Sequence, residues 1–427
     1  MTASHSVFCD DYDPNSLSIS EASQRILLAM SPPQGVEWVS VRNSLGRILA
    51  NDLVAPHDVP AHRNSAMDGY AFRWQDLHDQ KHETRVHLKL VGVSAAGHPF
   101  QGHIPPMAAV RIMTGAVVPD DADTVIMQER VTPEQSKGQI TFNADAIPAL
   151  GSNIRLPGED LKAQVLALPA GRLMRPADIG LAASLGLAEV PVRPKLRVAF
   201  FSTGDELCSL GQTSKVGQIL DSNRYTLFGM LEKMNVEWHD LGVVKDSPEA
   251  LEEAFQRASQ CAEVIISSGG VSVGDADFVR SILDRLGRTV FWKIAIKPGR
   301  PFAYGQFTGD KHFFGLPGNP VAVMVTFYQI VRPALMRLQG RHPLPSPLLL
   351  QAQTLTSLKK MPGRFEFQRG VLSRTEQGDW QVNATGEQGS GMLSSMSLAN
   401  CFIRLPESSG KIEAGAWVEV EPFDEAL

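Results

Sequence analysis

The stretch Lys195-Leu-Arg-Val-Ala-Phe-Phe-Ser-Thr-Gly-Asp-Glu206 decides the fold class of this 427-residue chain. Residues 196–202 are mostly apolar, which predicts a buried strand, and the glycine behind them predicts a sharp turn. Beyond this strand, helix-like and strand-like segments alternate. The predicted strands are 196–202, 236–244, 263–268 and 290–296, and the predicted helices are 223–234, 248–259 and 277–286. This alternation predicts a doubly wound parallel sheet with helices on both faces.

Two β-rich regions are predicted on either side of this α/β region. Short β-like runs such as 86–93 and 110–113 are broken by glycine and proline, which favours a small β-rich domain. After a proline-rich linker at 343–347, short alternating runs separated by glycine favour a β-barrel-like domain. The sequence therefore predicts an α/β and β multidomain protein.

The remaining segments have helical character. Ser18 and Glu21 have capping-box spacing ahead of an apolar-periodic run, 41–49 is a second amphipathic segment, and 176–185 is helix-like. These pieces predict a connecting domain that is split in sequence. The predicted organisation is 1–55 plus 147–190 (split connecting domain), 56–146 (β-rich domain), 191–343 (α/β domain) and 348–427 (C-terminal β-barrel domain).

Composition limits the partners and the compartment. A net charge of −6 argues against general binding to nucleic acid or acidic membranes, although local lysines can still bind a small phosphorylated substrate. The four cysteines are far apart and lack metal-ligand spacing, which is typical of a reducing cytosol. The acidic N-terminus does not resemble a signal peptide, and no apolar run approaches the roughly 18 residues of a membrane span. We expect a cytoplasmic protein with no nucleic-acid or membrane partner.

Three strand ends carry chemically informative residues. They are Phe201-Ser-Thr-Gly-Asp-Glu206, Ser267-Ser-Gly-Gly-Val-Ser-Val-Gly-Asp-Ala-Asp277 and Lys293-Ile-Ala-Ile-Lys297-Pro-Gly-Arg300. Ligands of open parallel sheets bind beyond the carboxyl ends of the strands. Each segment alone is also compatible with an ordinary turn or an exposed strand face. Their coincidence on one predicted rim favours a functional site.

The residue types of this rim suit a metal-bridged phosphate. Glycine amides and lysines hold phosphate oxygens, and Glu206, Asp246 and Asp277 could hold Mg²⁺ against them. Two alternatives stay open, because Asp246 is also a plausible helix N-cap, and Asp221-Ser-Asn223 is a cap, a ligand contact or both. The rim predicts an enzyme that acts on an anionic, nucleotide-like substrate. The predicted substrate-binding residues here are Thr203, Ser222, Asn223, Gly269, Gly270, Ser272, Gly274, Pro298, Gly318 and Asn319.

A set of ordered motifs over nearly the whole chain resembles the molybdopterin molybdenumtransferase family, whose eukaryotic relative is the C-terminal domain of gephyrin. The motifs are Asn64-Ser-Ala-Met-Asp-Gly-Tyr-Ala71, Met113-Thr-Gly-Ala116, Arg155-Leu-Pro-Gly-Glu-Asp160, Ser202-Thr-Gly-Asp-Glu-Leu207, Gly269-Gly-Val-Ser-Val-Gly274, Lys297-Pro-Gly299, Leu316-Pro-Gly-Asn-Pro320 and Gly389-Ser-Gly391. Each motif alone is weak, whereas the ordered set is specific.

The resemblance implies insertion of molybdate into adenylylated molybdopterin with Mg²⁺-dependent release of AMP. It implies an elongated homodimer whose cleft lies between the α/β domain of one subunit and the Asp68-bearing domain of the other. Molybdoenzymes or their chaperones are the implied recipients of the product. The functional residues implied by the resemblance are Asp68, Thr114, Glu206, Asp246, Asp277, Lys293, Lys297, Arg369 and Ser390. Arg369 is expected to approach the cleft from the C-terminal β domain.

Two other functions compete with this one. A molybdopterin adenylyltransferase shares the α/β domain and the glycine loop, although the extra domains here disfavour it. A non-catalytic scaffold of the gephyrin kind is disfavoured by the absence of a fused second catalytic domain or a long linker.

Overall fold

A computed structural model describes residues 16–32, 34–134, 138–270, 282, 285 and 287–423. The chain begins with helix α1 (Ile19–Leu28), and the predicted capping box is confirmed. The Ser18 hydroxyl accepts from the amide of Glu21 at 3.2 Å, and the Glu21 carboxylate accepts from the amide of Ser18 at 3.1 Å. The buried face of α1 packs against the core of the α/β sheet. This helix therefore sits apart from the split connecting unit to which the prediction assigned it.

Twelve strands follow in the first 192 residues. They are β1 (Glu37–Ser40), β2 (Leu53–Val54), β3 (Asn64–Ser65), β4 (Gly69–Phe72), β5 (Arg85–Ser94), β6 (Ala108–Ile112), β7 (Thr124–Met127), β8 (Thr132–Glu134), β9 (Gln139–Asn143), β10 (Ile154–Arg155), β11 (Leu166–Leu168) and β12 (Glu189–Val192). The middle six form one sheet in the order β7-β4-β6-β5-β9-β8, as the β-rich prediction requires.

The outer six strands pair in antiparallel fashion, β1 with β12, β2 with β11 and β3 with β10. The segments before the β-rich sheet therefore pair with the segments that follow it. Helix α2 (Pro176–Ser184) packs into the same hydrophobic core. This pairing brings together two segments that the prediction assigned to one split connecting domain, whose bounds stay a prediction. The amphipathic segment 41–49 forms only one 3-10 turn, Val41–Ser44, because Gly46 turns the chain at a φ of 72° and Leu49 then bridges to Val192.

The α/β region contains a six-stranded sheet. Its elements, with the small strands beside it, are β13 (Arg197–Thr203), β14 (Leu207–Cys208), β15 (Ile219–Leu220), α3 (Asn223–Lys233), β16 (Glu237–Val244), α4 (Pro248–Cys261), β17 (Val264–Ser268), β18 (Gly287–Lys293), β19 (Ile296–Lys297), β20 (Pro301–Phe307) and β21 (Lys311–Leu316). The predicted helix over 277–286 lies outside the described residues except at 282 and 285.

The sheet order is β16-β13-β17-β21-β20-β18. The first four strands are parallel, with α3 on one face and α4 on the other, as the doubly wound prediction requires. Strand β20 is antiparallel to both neighbours, so β18 runs in the same direction as the four parallel strands. The β20–β21 hairpin was not predicted, and the predicted strand 290–296 is divided between β18 and β19.

A continuous helix packs on the α/β core after this sheet. It consists of α5 (Pro320–Thr326), a π-helical turn (Phe327–Val331) and α6 (Arg332–Leu338). Contrary to the sequence analysis, its 19 residues are long and apolar enough to cross a membrane, but most of this stretch is buried in the core, as in the core helix of a soluble protein.

The C-terminal region forms a closed five-stranded barrel. Its elements are β22 (Leu350–Thr354), β23 (Phe365–Arg374), β24 (Trp380–Ala384), α7 (Leu393–Leu398), β25 (Cys401–Leu405) and β26 (Trp417–Pro422). The barrel closes because β23 pairs with both β24 and β25. Strand β19 of the α/β region adds to it by pairing in parallel with β23. The barrel confirms the predicted C-terminal fold.

Candidate active site

The site lies where the order of the parallel strands reverses. From β13 the chain first adds β16 on one side and then returns to add β17 on the other. Such a switch point opens a crevice between the carboxyl ends of the two central strands, and ligands bind there in doubly wound sheets. Thr203 ends β13, and Gly269 directly follows β17. The topology therefore brings two of the three predicted segments together.

The glycine loop crosses directly over the end of β13. A Cβ atom on Gly269 would lie 2.5 Å from the carbonyl oxygen of Thr203, and one on Gly270 would lie 2.8 Å from the Thr203 hydroxyl. Both glycines have positive φ, at 88° and 66°. Only residues without a side chain allow this close approach, which leaves room for a ligand against the main chain. The rest of the predicted loop, with Ser272, Gly274 and Asp277, lies outside the described residues.

Buried polar atoms surround this crossing. Within the described part of the chain, the Thr203 hydroxyl, the Ser267 hydroxyl and the Asn223 amide oxygen are buried without a hydrogen-bond partner. A buried polar group left unpaired costs about 1–3 kcal/mol, and such groups gather where a ligand supplies the missing partner. These unpaired atoms, on elements that meet at the crevice, make it the candidate binding site.

Asn223 also holds the crevice together. Its side-chain amide donates to the Ser268 hydroxyl at 2.8 Å and to the carbonyl of Gly318 at 2.7 Å. The start of α3, the end of β17 and the turn before α5 thus meet at one point, with Asn319 exposed beside them. The sequence predicts all three segments at the rim, but the contacts between them depend on the tertiary fold.

The start of α3 settles the open question about its cap. The carboxylate of Asp221 is buried and accepts from the Arg224 amide at 3.2 Å and from the Ser202 hydroxyl at 3.1 Å. Asp221 therefore caps α3 with its side chain, from the position before the N-cap residue. Ser222, half-buried at the cap position, makes no capping bond with its side chain.

Two carboxylates lie at neighbouring strand ends. Glu206 is exposed, and its carboxylate folds back over Gly204 so closely that a Cβ there would lie 2.6 Å from Glu206 Oε2. Asp246 follows β16, whose Val244 pairs with Thr203 of β13. The N-cap of α4 is Ser247, whose hydroxyl accepts from the amide of Ala250 at 3.3 Å. Asp246 is thus not the cap. Within the described residues, no three potential metal ligands cluster.

Lys293 lies at the carboxyl edge of the parallel strands, because β18 runs in their direction, whereas Lys297 lies on β19, which pairs with the C-terminal barrel. Lys293 ends β18 and is exposed. Lys297 ends β19, and its ammonium lies 3.6 Å from Glu366 Oε2 of the C-terminal barrel. Pro298 follows it in a half-buried position. No role was predicted for Glu366 from the sequence.

Arg369 does not occupy the position that sequence analysis expected. Its side chain is fully buried, and its guanidinium donates to the carbonyls of Gln388 at 3.1 Å and Gly389 at 3.0 Å and to the Ser395 hydroxyl at 3.0 Å. Burial lowers the pKa of Arg369 to about 10, so it remains charged at neutral pH. Its donors hold the 387–389 loop instead of reaching a substrate.

The loop held by Arg369 carries Ser390 to the rim. The Ser390 carbonyl accepts from the amide of Val321 at 3.1 Å, in the first turn of α5. Ser390 therefore lies beside the turn that contains Gly318. Through this loop the C-terminal barrel contributes to the α/β rim.

Asp68 and Thr114 form a separate pair on the β-rich sheet. Asp68 Oδ1 accepts from both the amide and the hydroxyl of Thr114 at 2.7 Å, and these hydrogen bonds, first of all the one from the amide, lower the pKa of Asp68. Gly69 is required beside it, because a Cβ there would lie 2.0 Å from the carbonyl oxygen of Ile126. Among the described residues, no hydrogen bond or ion pair links this pair to the α/β rim.

Comparison with known proteins places the chain in a family. Family models described as the MoeA N-terminal region (domain I and II), a probable molybdopterin binding domain and the MoeA C-terminal region (domain IV) match residues 17–186, 199–337 and 351–423. The molybdopterin molybdenumtransferase of Haemophilus influenzae is 43% identical over 411 residues, which cover 96% of this chain and 100% of that protein. The enzyme of the same name from a Nostoc species is 36% identical over 90% of this chain and 87% of its own.

A solved structure shares the whole architecture. The molybdopterin biosynthesis moeA protein from Pyrococcus horikoshii OT3 superposes with a TM-score of 0.82 at 28% identity, over 96% of this chain and 100% of that one. Both sets of matches extend over nearly the full chain, as the ordered motifs do. The chain belongs to the molybdopterin molybdenumtransferase family, enzymes of molybdenum cofactor biosynthesis.

Proposed function

We propose that this enzyme inserts molybdate into adenylylated molybdopterin and releases AMP in a Mg²⁺-dependent reaction. The observation that carries the proposal is the cluster of buried, unpartnered polar atoms at the β13/β17 crossing. Two of these are hydroxyls that can donate to phosphate oxygens, and the third is an amide oxygen that needs a donor from the ligand. A ligand with both an anionic group and N–H or O–H groups, such as a nucleotide, satisfies all three.

The chain's own residues divide the work along the crevice. The Gly270 amide and the Thr203 hydroxyl are suited to binding the phosphate that links AMP to the pterin, whereas the Gly269 amide already donates to the carbonyl of Leu316 at 3.1 Å. Lys293, at the carboxyl edge of the sheet, and Lys297, four residues later at the end of β19, orient oxyanions of the phosphate and of molybdate. Fixed charges of this kind favour the transition state most when they are positioned before the reaction begins.

The donor set fits the implied magnesium ion. Glu206 and Asp246 supply carboxylate oxygens at neighbouring strand ends, and Asp277 is proposed as a third ligand. These residues would hold Mg²⁺, which when bound neutralises charge on the departing phosphate. The Glu206 carboxylate lies against Gly204, the residue that directly follows β13, where only a glycine leaves space for it.

We further infer that the enzyme acts as a homodimer. Asp68 and Thr114 form a pre-ordered pair on the β-rich sheet, and within the described residues they make no polar contact with the rim of their own chain. A second copy that presents this pair to the crevice would complete the predicted cleft. We also place the enzyme in the cytoplasm, in keeping with the free thiols of Cys208, Cys261 and Cys401.

Two parallel reactions test the proposed function. One mixture contains the purified protein with molybdopterin, ATP and Mg²⁺, and the other contains adenylylated molybdopterin, molybdate and Mg²⁺. We expect AMP release only in the second mixture, and only with Mg²⁺ present. Pyrophosphate release in the first mixture would instead show an adenylyltransferase, and inactivity in both would favour the scaffold.

Removal of the unpartnered Thr203 hydroxyl should preserve or raise the stability of the protein but lower its activity. Thr203→Val keeps the shape of the side chain but removes a buried polar atom, so the free energy of unfolding should stay equal or rise by about 1 kcal/mol. AMP release should fall about ten- to hundredfold, since a hydrogen bond to a charged phosphate is lost. Urea unfolding and AMP release measure the two effects.

Thr354→Val is the matched control. The Thr354 hydroxyl is also fully buried, but it donates to the carbonyl of Thr356 at 2.7 Å. This variant should be less stable than the wild type and equally active. A Thr203→Val protein that is destabilised and fully active would contradict the proposed role of the crevice.

A further inference from the structure

The position of Lys297 depends on the C-terminal barrel. The short strand β19 that ends in Lys297 pairs with β23, with Ile296 opposite Phe365 and Lys297 opposite Glu366. The amide of Phe365 also donates to the carbonyl of Ala295 at 3.1 Å. Main-chain hydrogen bonds therefore fix the backbone of Lys297 against a barrel strand that lies far from it in sequence.

Glu366 is a buried charge placed next to this lysine. It is 4% exposed, and its Oε1 accepts from the Gln368 amide group at 2.9 Å. Its other carboxylate oxygen lies 3.6 Å from the ammonium of Lys297, whose side chain is 42% exposed. A buried carboxylate is costly unless cations and donors surround it, so its retention here requires a compensating partner.

A second lysine lies on the inner side of the same carboxylate. Lys360 is 7% exposed, and its ammonium donates to the carbonyls of Met361 at 2.6 Å and Arg364 at 2.8 Å. Burial lowers the pKa of Lys360, while the nearby charge of Glu366 acts to raise it. Gln368 thus holds Glu366 by a hydrogen bond, Lys360 interacts with it only electrostatically, and Lys297 is the partner with an exposed side chain.

The distance between Lys297 and Glu366 suits a carboxylate that positions the ammonium rather than one that neutralises its charge. A separation of 3.6 Å is an electrostatic contact longer than a hydrogen bond. An ammonium has three donors, so this contact leaves all of them available to an anion in the crevice. Without the carboxylate, the flexible stem of the lysine would lose the charge partner that restricts it among the described residues.

We propose that Glu366 is a positioning residue that aims the ammonium of Lys297 at the substrate anion, so that the C-terminal barrel takes part in catalysis. The inference rests on the proposed function, because it assumes that Lys297 binds the phosphate or molybdate oxygens. It assigns to Glu366 no contact with the substrate. Its effect should therefore disappear when Lys297 is absent.

A double-mutant cycle tests this dependence. Glu366→Gln should lower kcat for AMP release about ten- to hundredfold, as expected when a catalytic charge is misplaced. The KM for adenylylated molybdopterin should stay equal or fall, since removal of a negative charge does not weaken anion binding. In a Lys297→Ala background, Glu366→Gln should cause no further loss of kcat.

Glu421→Gln is the matched control. Glu421 is also a partly buried barrel glutamate that reaches the α/β region, where it accepts from Gln329 at 3.1 Å, and it pairs with Arg404 at 2.7 Å. This variant should keep the wild-type kcat. If Glu366→Gln does not fold, Glu366→Asp replaces it in the cycle, because the shorter side chain retains the charge.

The outcomes separate the two proposals. If Lys297→Ala keeps the wild-type rate, the proposed site is wrong and the inference fails with it. If Lys297→Ala is slow while Glu366→Gln is as fast as the wild type, or if the two losses multiply in the double variant, only the inference is overturned. A Glu366→Gln protein that shows a raised KM with unchanged kcat likewise overturns it. A reduced kcat with no added loss in the double variant supports it.

Discussion

Replacing Glu206 with alanine is expected to slow molybdate-dependent AMP release by about a hundred- to thousandfold while the protein stays folded. The side chain is exposed at the tip of β13, so its loss removes little packing, and the free energy of unfolding should change by no more than about 0.5 kcal/mol. The loss arises because one of the carboxylates proposed to hold Mg²⁺ is missing. Single-turnover AMP release and urea unfolding provide the two measurements.

Asp205 is the matched control for this variant. It is the neighbouring residue, carries the same charge and is also exposed. Asp205→Ala should retain most of the activity, because Asp205 is not one of the proposed Mg²⁺ ligands. Equal losses in the two variants would indicate a general effect of charge at the loop and would contradict a specific role for Glu206. Higher Mg²⁺ concentrations should partly restore the Glu206→Ala rate.

Arg369→Ala is expected to destabilise the protein by about 3–5 kcal/mol, the largest stability effect that we predict. The variant leaves buried carbonyls of Gln388 and Gly389 without their donor and opens a cavity beside Ser395. The 387–390 loop should become accessible to protease, and AMP release should fall because Ser390 is displaced from the rim. Urea unfolding and limited proteolysis measure these changes.

A direct role of Arg369 in substrate binding predicts the opposite pattern. In that case the alanine variant would be as stable as the wild type and would show only a raised KM. Arg374→Ala is a suitable control, because Arg374 lies on the same strand, is exposed and stacks on Trp380 at 4.3 Å. Its loss should affect neither the loop nor the rate.

The parts of the site that follow strand ends could be predicted from the sequence. Apolar periodicity identified β13 and β17, and the rule that ligands bind at carboxyl strand ends then selected Thr203 and the Gly269–Gly270 loop. The sequence also predicts that Lys293 lies at the carboxyl edge of the sheet, where the structure has it, although the sheet is not wholly parallel there. Strand β20 is antiparallel to both β21 and β18, so β18 again runs parallel to the first four strands.

The contacts between distant segments could not be predicted. Glu366 lies in an alternating run that is typical of any barrel strand, and its role depends on the pairing of β19 with β23. The burial of Arg369 depends in the same way on barrel closure and on the path of the 387–390 loop. Residue type alone indicated an exposed cation, since arginine is rarely fully buried.

The most direct test of the account is a crystal structure of the enzyme with AMP and molybdate bound. We predict that the AMP phosphate lies at the β13/β17 crossing, within hydrogen-bonding distance of the Thr203 hydroxyl and the Gly270 amide. Molybdate should lie beside it, within reach of Lys297. Anions bound instead in the basic crevice lined by Lys233, Arg332 and Arg341, with the crossing unoccupied, would contradict the account.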